Sequence, residues 1–159
     1  MNPFERFSAI PYENIYHLGI VVPDIHRAMD ELGQQLGTSW SELRTFPVRV
    51  TDGGGPLTEY AVQATYSREG PPYLELIGAI GNGIWGVEQA GRIHHAGAYC
   101  EDIAKEKARL EALGFVTETH GVLPDGAVGG PIYLSNRYGL RLELAAYSGR
   151  SMVWDWVHA

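Results

Sequence analysis

The stretch Tyr16-His17-Leu18-Gly19-Ile20-Val21-Val22-Pro23-Asp24-Ile25 is answered, 78 residues later, by His94-His95-Ala96-Gly97-Ala98-Tyr99-Cys100-Glu101-Asp102-Ile103, with His, Gly, Asp and Ile in register. A repeat of this kind constrains architecture more tightly than local propensity does, because each copy must form the same supersecondary unit. The match extends outward. After each Asp-Ile, apolar residues recur at helical spacing: Ile25, Ala28, Met29, Leu32 and Leu36 in one copy, Ile103, Leu110 and Leu113 in the other. Asp24 and Asp102 are suited to cap a helix N-terminus. Leu36-Gly37 and Leu113-Gly114 end the helices where glycine takes the left-handed conformation without a Cβ penalty. Further on, Tyr73-Leu74-Glu75-Leu76-Ile77 corresponds to Arg141-Leu142-Glu143-Leu144-Ala145.

Two more strands fit between the helix and the Glu-bearing strand of each copy. In the first they are Trp40 to Val50 and Thr58 to Tyr66, joined by the turn-forming Asp52-Gly53-Gly54-Gly55-Pro56; in the second, Phe115 to Val122 and Pro131 to Ser135, joined by Leu123-Pro124-Asp125-Gly126. The expected organisation is a single α+β domain over 1–159: a first βαβββ module at 15–80, a linker at 81–91, a second module at 92–147 and a tail at 148–159.

Composition narrows the partners. Twelve Lys and Arg against 19 Asp and Glu give a formal charge of -7, so there is no basic field to hold nucleic acid or an anionic membrane. The start, MNPFERFSAIPYEN, lacks the charged and apolar regions of a leader, and no apolar run reaches the roughly 20 residues that span a bilayer. A cytoplasmic protein is expected. The single cysteine, Cys100, closes no intramolecular disulfide and reads as a small hydrophobe in a strand.

Strand alternation decides which side chains share a face. If Ile20 and Val22 pack beneath the first helix, His17 and Gly19 point the other way, and by the repeat so do His95 and Gly97. His94 then falls on the opposite face with Ala96 and Ala98. The same rule separates Glu75 from Leu74 and Leu76, and Glu143 from Leu142 and Leu144. Taken singly, each of these polar residues is the wet face of an antiparallel strand, and Arg141 beside Glu143 suits that plainer reading.

Tandem βαβββ units with His on the first strand and Glu on the last resemble the vicinal oxygen chelate superfamily, the glyoxalase, bleomycin-resistance and dioxygenase fold. The resemblance runs from about Tyr16 to Tyr147. It implies a curved sheet around a central cleft, a homodimer, and a divalent metal held by His17, Glu75, His95 and Glu143. Mixed nitrogen and oxygen donors suit Zn²⁺, Ni²⁺, Co²⁺, Mn²⁺ or Fe²⁺. The resemblance to the glyoxalase I and methylmalonyl-CoA epimerase branches implies isomerase, epimerase or lyase chemistry on a small-molecule substrate, by proton abstraction next to a carbonyl, with Glu75 or Glu143 as the base. The first module departs from epimerases: Glu42 to Val50 is basic and aromatic where they carry an acidic stretch. Two rivals are a metal-free drug- or metabolite-binding protein of the bleomycin-resistance type, to which nine tyrosines and four tryptophans lend support, and an Fe²⁺ ring-cleaving dioxygenase, which uses two His and one carboxylate.

Other features carry less. Gly81-Asn82-Gly83-Ile84-Trp85-Gly86 spells a dinucleotide fingerprint, but no helix of adequate length follows it, so it reads as linker. His26, His120 and His158 read as solvated, and Arg44, Arg49 and Arg137 as surface residues able to bind a carboxylate or phosphate. The tail, with Trp154 and Trp156, is expected to pack across the cleft or onto a partner subunit.

Overall fold

The computed structural model describes residues 5–159; the first four residues of the amino-terminal stretch lie outside it. The elements run β1 (Ile15–Val22), α1 (Ile25–Leu36), β2 (Arg44–Asp52), β3 (Thr58–Tyr66), β4 (Tyr73–Gly78), β5 (His95–Cys100), α2 (Ile103–Ala112), β6 (Val116–Val122), β7 (Val128–Ser135), β8 (Arg141–Ala146) and α3 (Arg150–His158). This is the βαβββ order twice over, with a helix appended. Among the described residues no helix is long and apolar enough to cross a membrane.

Both repeat helices start as the sequence requires. The Asp24 carboxylate accepts from the Arg27 amide at 3.1 Å and the Asp102 carboxylate from the Lys105 amide at 3.0 Å, so each satisfies an amide that the first turn leaves unpaired. Gly37 follows α1 at φ 66°, in the left-handed region. Ile20, Val22, Leu74 and Leu76 pack with Ile25, Ala28, Met29 and Leu32 of α1. Leu142 and Leu144 pack with Ile103 and Leu110 of α2, together with Cys100. The faces are therefore divided as alternation demands, helices outside and the His- and Glu-bearing face inside. Burial pushes the Cys100 thiol up to about 11, as befits a packing residue.

The eight strands close into a barrel in the order β1-β4-β3-β2-β6-β7-β8-β5. Within each repeat the first and last strands pair in parallel, β1 with β4 and β5 with β8. The repeats join through the antiparallel pairs β1–β5 and β2–β6, so the modules pair within one chain.

Three boundaries differ from expectation. Trp40 does not begin β2; its indole N–H donates to the Met29 carbonyl at 2.8 Å and its ring packs under α1, leaving only an isolated bridge to Ser67. β7 begins at Val128 because ladder pairing to β6 overrides the poor strand propensity of Gly129 and Gly130. The tail forms α3, anchored by Arg68, whose guanidinium donates to the carbonyls of Val157 (2.9 Å) and Ala159 (3.0 Å).

Candidate metal centre

The register across the β1–β5 seam builds the site. On one row Glu75 of β4, Gly19 of β1 and His95 of β5 are successive neighbours; on the next, His17 of β1, Gly97 of β5 and Glu143 of β8 are. Each row is thus Glu-Gly-His, and the two run in opposite directions. The glycine in the middle is a steric requirement. A Cβ on Gly19 would lie 2.0 Å from His95 Cε1, and one on Gly97 would lie 1.9 Å from His17 Cε1. Each imidazole lies over the glycine of the facing strand, which explains why the repeat carries His-x-Gly rather than His alone.

The result is convergence at the barrel floor. One donor atom from each of His17, Glu75, His95 and Glu143 lies within 4.8 Å of every other. The two Nε2 atoms are 2.8 Å apart. His17 Nε2 is 3.4 Å from the Glu75 carboxylate and 3.3 Å from that of Glu143; His95 Nε2 is 3.3 and 2.9 Å from the same two. With metal–ligand distances of ~2.0–2.2 Å, neighbouring donors stand ~3 Å apart around an octahedron and ~3.4 Å around a tetrahedron. The observed separations match that spacing, and two carboxylates balance the charge of a dication.

Electrostatics agree with the donor set. Burial lowers the basicity of the His17 imidazole, but the Glu75 carboxylate and hydrogen bonding to Glu143 outweigh it and raise the ring to about 9. Burial raises the Glu75 and Glu143 carboxyls, yet interactions with His17 and His95 hold both below the usual carboxylate range. In the metal-free protein a proton thus serves as the cation between two buried carboxylates.

His94 is where the alternation rule gave the wrong side. It lies just before β5 rather than within it, its amide donating to the Gly19 carbonyl at 2.7 Å, so the strand pleat does not govern its side chain. The ring is buried. Its Nδ1 is 2.8 Å from His95 Nδ1, and its Nε2 is 2.7 Å from the Ile84 carbonyl. Because a carbonyl only accepts, His94 Nε2 carries the proton; a neutral His94 then accepts at Nδ1 from His95, which leaves the His95 Nε2 lone pair for the site. Burial, then the neighbouring His95 and Arg141, lower His94 to about 4, so it is neutral.

The supposed linker is also part of the site. Ile84 and Trp85 are buried; the Ile80 amide donates to the Trp85 carbonyl at 2.8 Å, and the Trp85 indole donates to the Tyr133 hydroxyl at 3.3 Å. No dinucleotide helix follows, only a short 3-10 turn at Val87–Gln89. Arg141 does not sit on a wet face: its guanidinium donates to Glu118 at 2.6 and 3.1 Å and to the His94 carbonyl at 3.2 Å.

The remaining candidates separate. His26 and His158 are exposed, whereas His120 lies in β6 and is partly covered. Arg137 is held by the Tyr138 hydroxyl at 2.6 Å, and Arg44 lies over the Trp156 ring at 4.8 Å. A cavity of about 680 Å³ opens above Glu75 and Glu143, with Arg49 and Trp156 among its lining residues. The tail reaches the cleft, where Trp156 forms part of the cavity wall.

Residues 16–133 match the model of the Glyoxalase/Bleomycin resistance protein/Dioxygenase superfamily, and the chain belongs to that superfamily. Solved structures with the same fold include a hypothetical protein from Bacillus halodurans (15% identity over 83% of this chain and 92% of the other, TM-score 0.59). They also include methylmalonyl-CoA epimerase from Mycobacterium tuberculosis (13%, 90% and 93%, TM-score 0.57). A third is the Streptomyces coelicolor methylmalonyl-CoA epimerase variant E43L with 2-nitronate-propionyl-CoA (15%, 84% and 93%, TM-score 0.57). No curated protein sequence matches the chain.

Proposed function

We propose that His17, Glu75, His95 and Glu143 hold a divalent metal ion, and that the protein is a metal-dependent isomerase, epimerase or lyase that moves a proton next to a carbonyl. The observation that carries this reading is the convergence of the four donors within 4.8 Å at the floor of a cavity large enough for a small molecule. Such an ion supplies charge neutralisation for neighbouring oxygens of a substrate as its carbon acid ionises.

The chain's own residues do the rest. Gly19 and Gly97 seat the imidazoles, and His94 holds His95 in the tautomer that presents Nε2. Glu75 and Glu143 both border the cavity, so either carboxylate reaches the proton of a substrate bound there and acts as base. Tyr66 and Tyr133, whose hydroxyls burial and then the neighbouring carboxylates keep protonated, wall the site against water. Zn²⁺, Ni²⁺, Co²⁺, Mn²⁺ and Fe²⁺ all suit these donors. The setting we propose is a cytoplasmic homodimer.

The test is elemental mass spectrometry of the purified protein beside His17→Ala and His95→Ala. Near-stoichiometric metal in wild type and its loss in both variants is the expected result; proton exchange into candidate carbonyl substrates from D₂O then assays the chemistry. A wild type that takes up none of the five metals overturns the reading in favour of a metal-free binding protein, which the aromatic cavity walls would also suit. Iron with O₂ uptake turns it towards ring cleavage.

A further inference from the structure

The cavity above the four donors is lined by apolar side chains on nearly every side: Phe46, Val62, Ile77, Trp85, Tyr133 and Trp156 are the principal ones. Its charged lining consists of Glu75 and Glu143 at the floor and Arg49 and Glu59, which face each other across the β2–β3 ladder. Arg49 has a carboxylate as its cross-strand neighbour, and Arg44, over the Trp156 ring at 4.8 Å, is paired with Glu42 at 3.2 Å, so each nearby guanidinium already has an acidic neighbour and no cluster of unpaired cations awaits a phosphate or carboxylate tail.

The aromatic wall is braced from behind. The Trp156 indole N–H donates to the Glu42 carbonyl at 2.7 Å, and its ring meets Tyr66 and Phe46 edge-on at 5.0 and 6.1 Å. Trp85 spends its N–H on Tyr133 and meets Tyr60 edge-on at 5.7 Å. Both indoles have their polar atom engaged by protein, so what they offer a ligand is carbon surface. A volume of about 680 Å³ suits a body of one or two rings.

We propose that the substrate class is a compound with two neighbouring oxygens on an uncharged apolar or aromatic body, the oxygens directed at the four-donor floor and the body held against the wall that Phe46 and Trp156 form. The inference rests on the metal reading above for its polar end and on the cavity wall for the rest. Substrates whose body ends in phosphate or carboxylate are disfavoured, because burying such a group against this wall is uncompensated.

Hydroxamates, which present two adjacent oxygens to a metal, separate the two parts. The Zn²⁺-loaded protein is titrated calorimetrically with acetohydroxamate, benzohydroxamate, 2-naphthohydroxamate and succinomonohydroxamate, each corrected for its affinity for the free ion. The aryl compounds should bind about tenfold or more tightly than acetohydroxamate, as buried apolar area predicts, and the carboxylate-tailed compound no better than acetohydroxamate. Trp156→Ala and, as a second variant, Phe46→Ala should each retain bound zinc while losing most of the aryl gain. Aryl binding equal to acetohydroxamate, a gain from the carboxylate tail, or an aryl gain untouched in both zinc-loaded variants overturns the substrate class and leaves the metal reading standing. Absence of binding by all four to protein that holds zinc overturns this inference alone, whereas a protein that takes up no zinc overturns the metal reading and this inference with it.

Discussion

His17 and His95 occupy equivalent places in two copies of one unit, yet their outer nitrogens differ. His95 Nδ1 is held by His94, which is held in turn by the Ile84 carbonyl, whereas His17 Nδ1 is buried and without a hydrogen-bond partner among the described residues. The position equivalent to His94 is Tyr16, which lies inside β1 at a register shift between Ile15 and His17 and stacks on Tyr99 at 3.8 Å. A repeat reproduces the inward-facing geometry because ladder register enforces it. It leaves the surroundings of each ring free to diverge.

The comparison breaks most sharply at the glycines. Gly97→Ala and Gly19→Ala each place a methyl inside the ring of the facing histidine, so both should weaken Zn²⁺ binding by about 100-fold or more, measured by competition with a chelating dye. Equal losses from the two variants would support the pseudo-twofold description, and normal binding in either would refute the packing.

The next effect separates the halves. His94→Ala should weaken metal binding about 10- to 100-fold, the usual range for the partner of a ligating histidine, while Tyr16→Phe should cost less. His94→Asn, which can donate to Ile84 and accept from His95, should recover part of the loss. Equal effects at positions 16 and 94 would remove the distinction.

Acidity provides a third comparison, between metal-free and metal-loaded protein. His17 is raised to about 9 in the folded metal-free chain, above its unfolded value of about 6.5. Its contribution to stability is fully present below the unfolded value and lost as pH rises from about 6.5 through 9. The metal-free melting temperature should therefore fall across that window, and metal affinity should rise with pH as the competing proton leaves. A flat metal-free profile would count against the proton standing in for the ion.

The smallest effects should be the most nearly equal. Asp24→Ala and Asp102→Ala each remove one cap and should cost about 1 kcal/mol, or about 2–4 °C in melting temperature by calorimetry. A much larger loss at one position would mean that the two helices are not equally independent of the barrel.

Local rules made much of the fold legible in the sequence. The repeat, the Asp caps, the terminating glycines and the separation of Leu from Glu on β4 and β8 are all period-2 or period-3.6 statements, and the inward faces of His17, Glu75, His95 and Glu143 follow from them. His94 escaped because alternation holds only inside a strand, and one residue's difference in where β5 begins turns its ring towards His95. Trp85 escaped because a loop rich in glycine carries no period at all, and Trp156 because nine residues of tail have no repeat partner to reveal their place.

By itself, then, the sequence determined the two units, their helices and the four inward side chains, since each depends on neighbours a few positions away. Only the tertiary structure decided that Gly19 seats His95 and Gly97 seats His17, that His94 orients His95, and that Phe46, Trp85 and Trp156 share one cavity. Those contacts join residues far apart in the chain, and strand register with barrel closure, rather than any local pattern, brings them together.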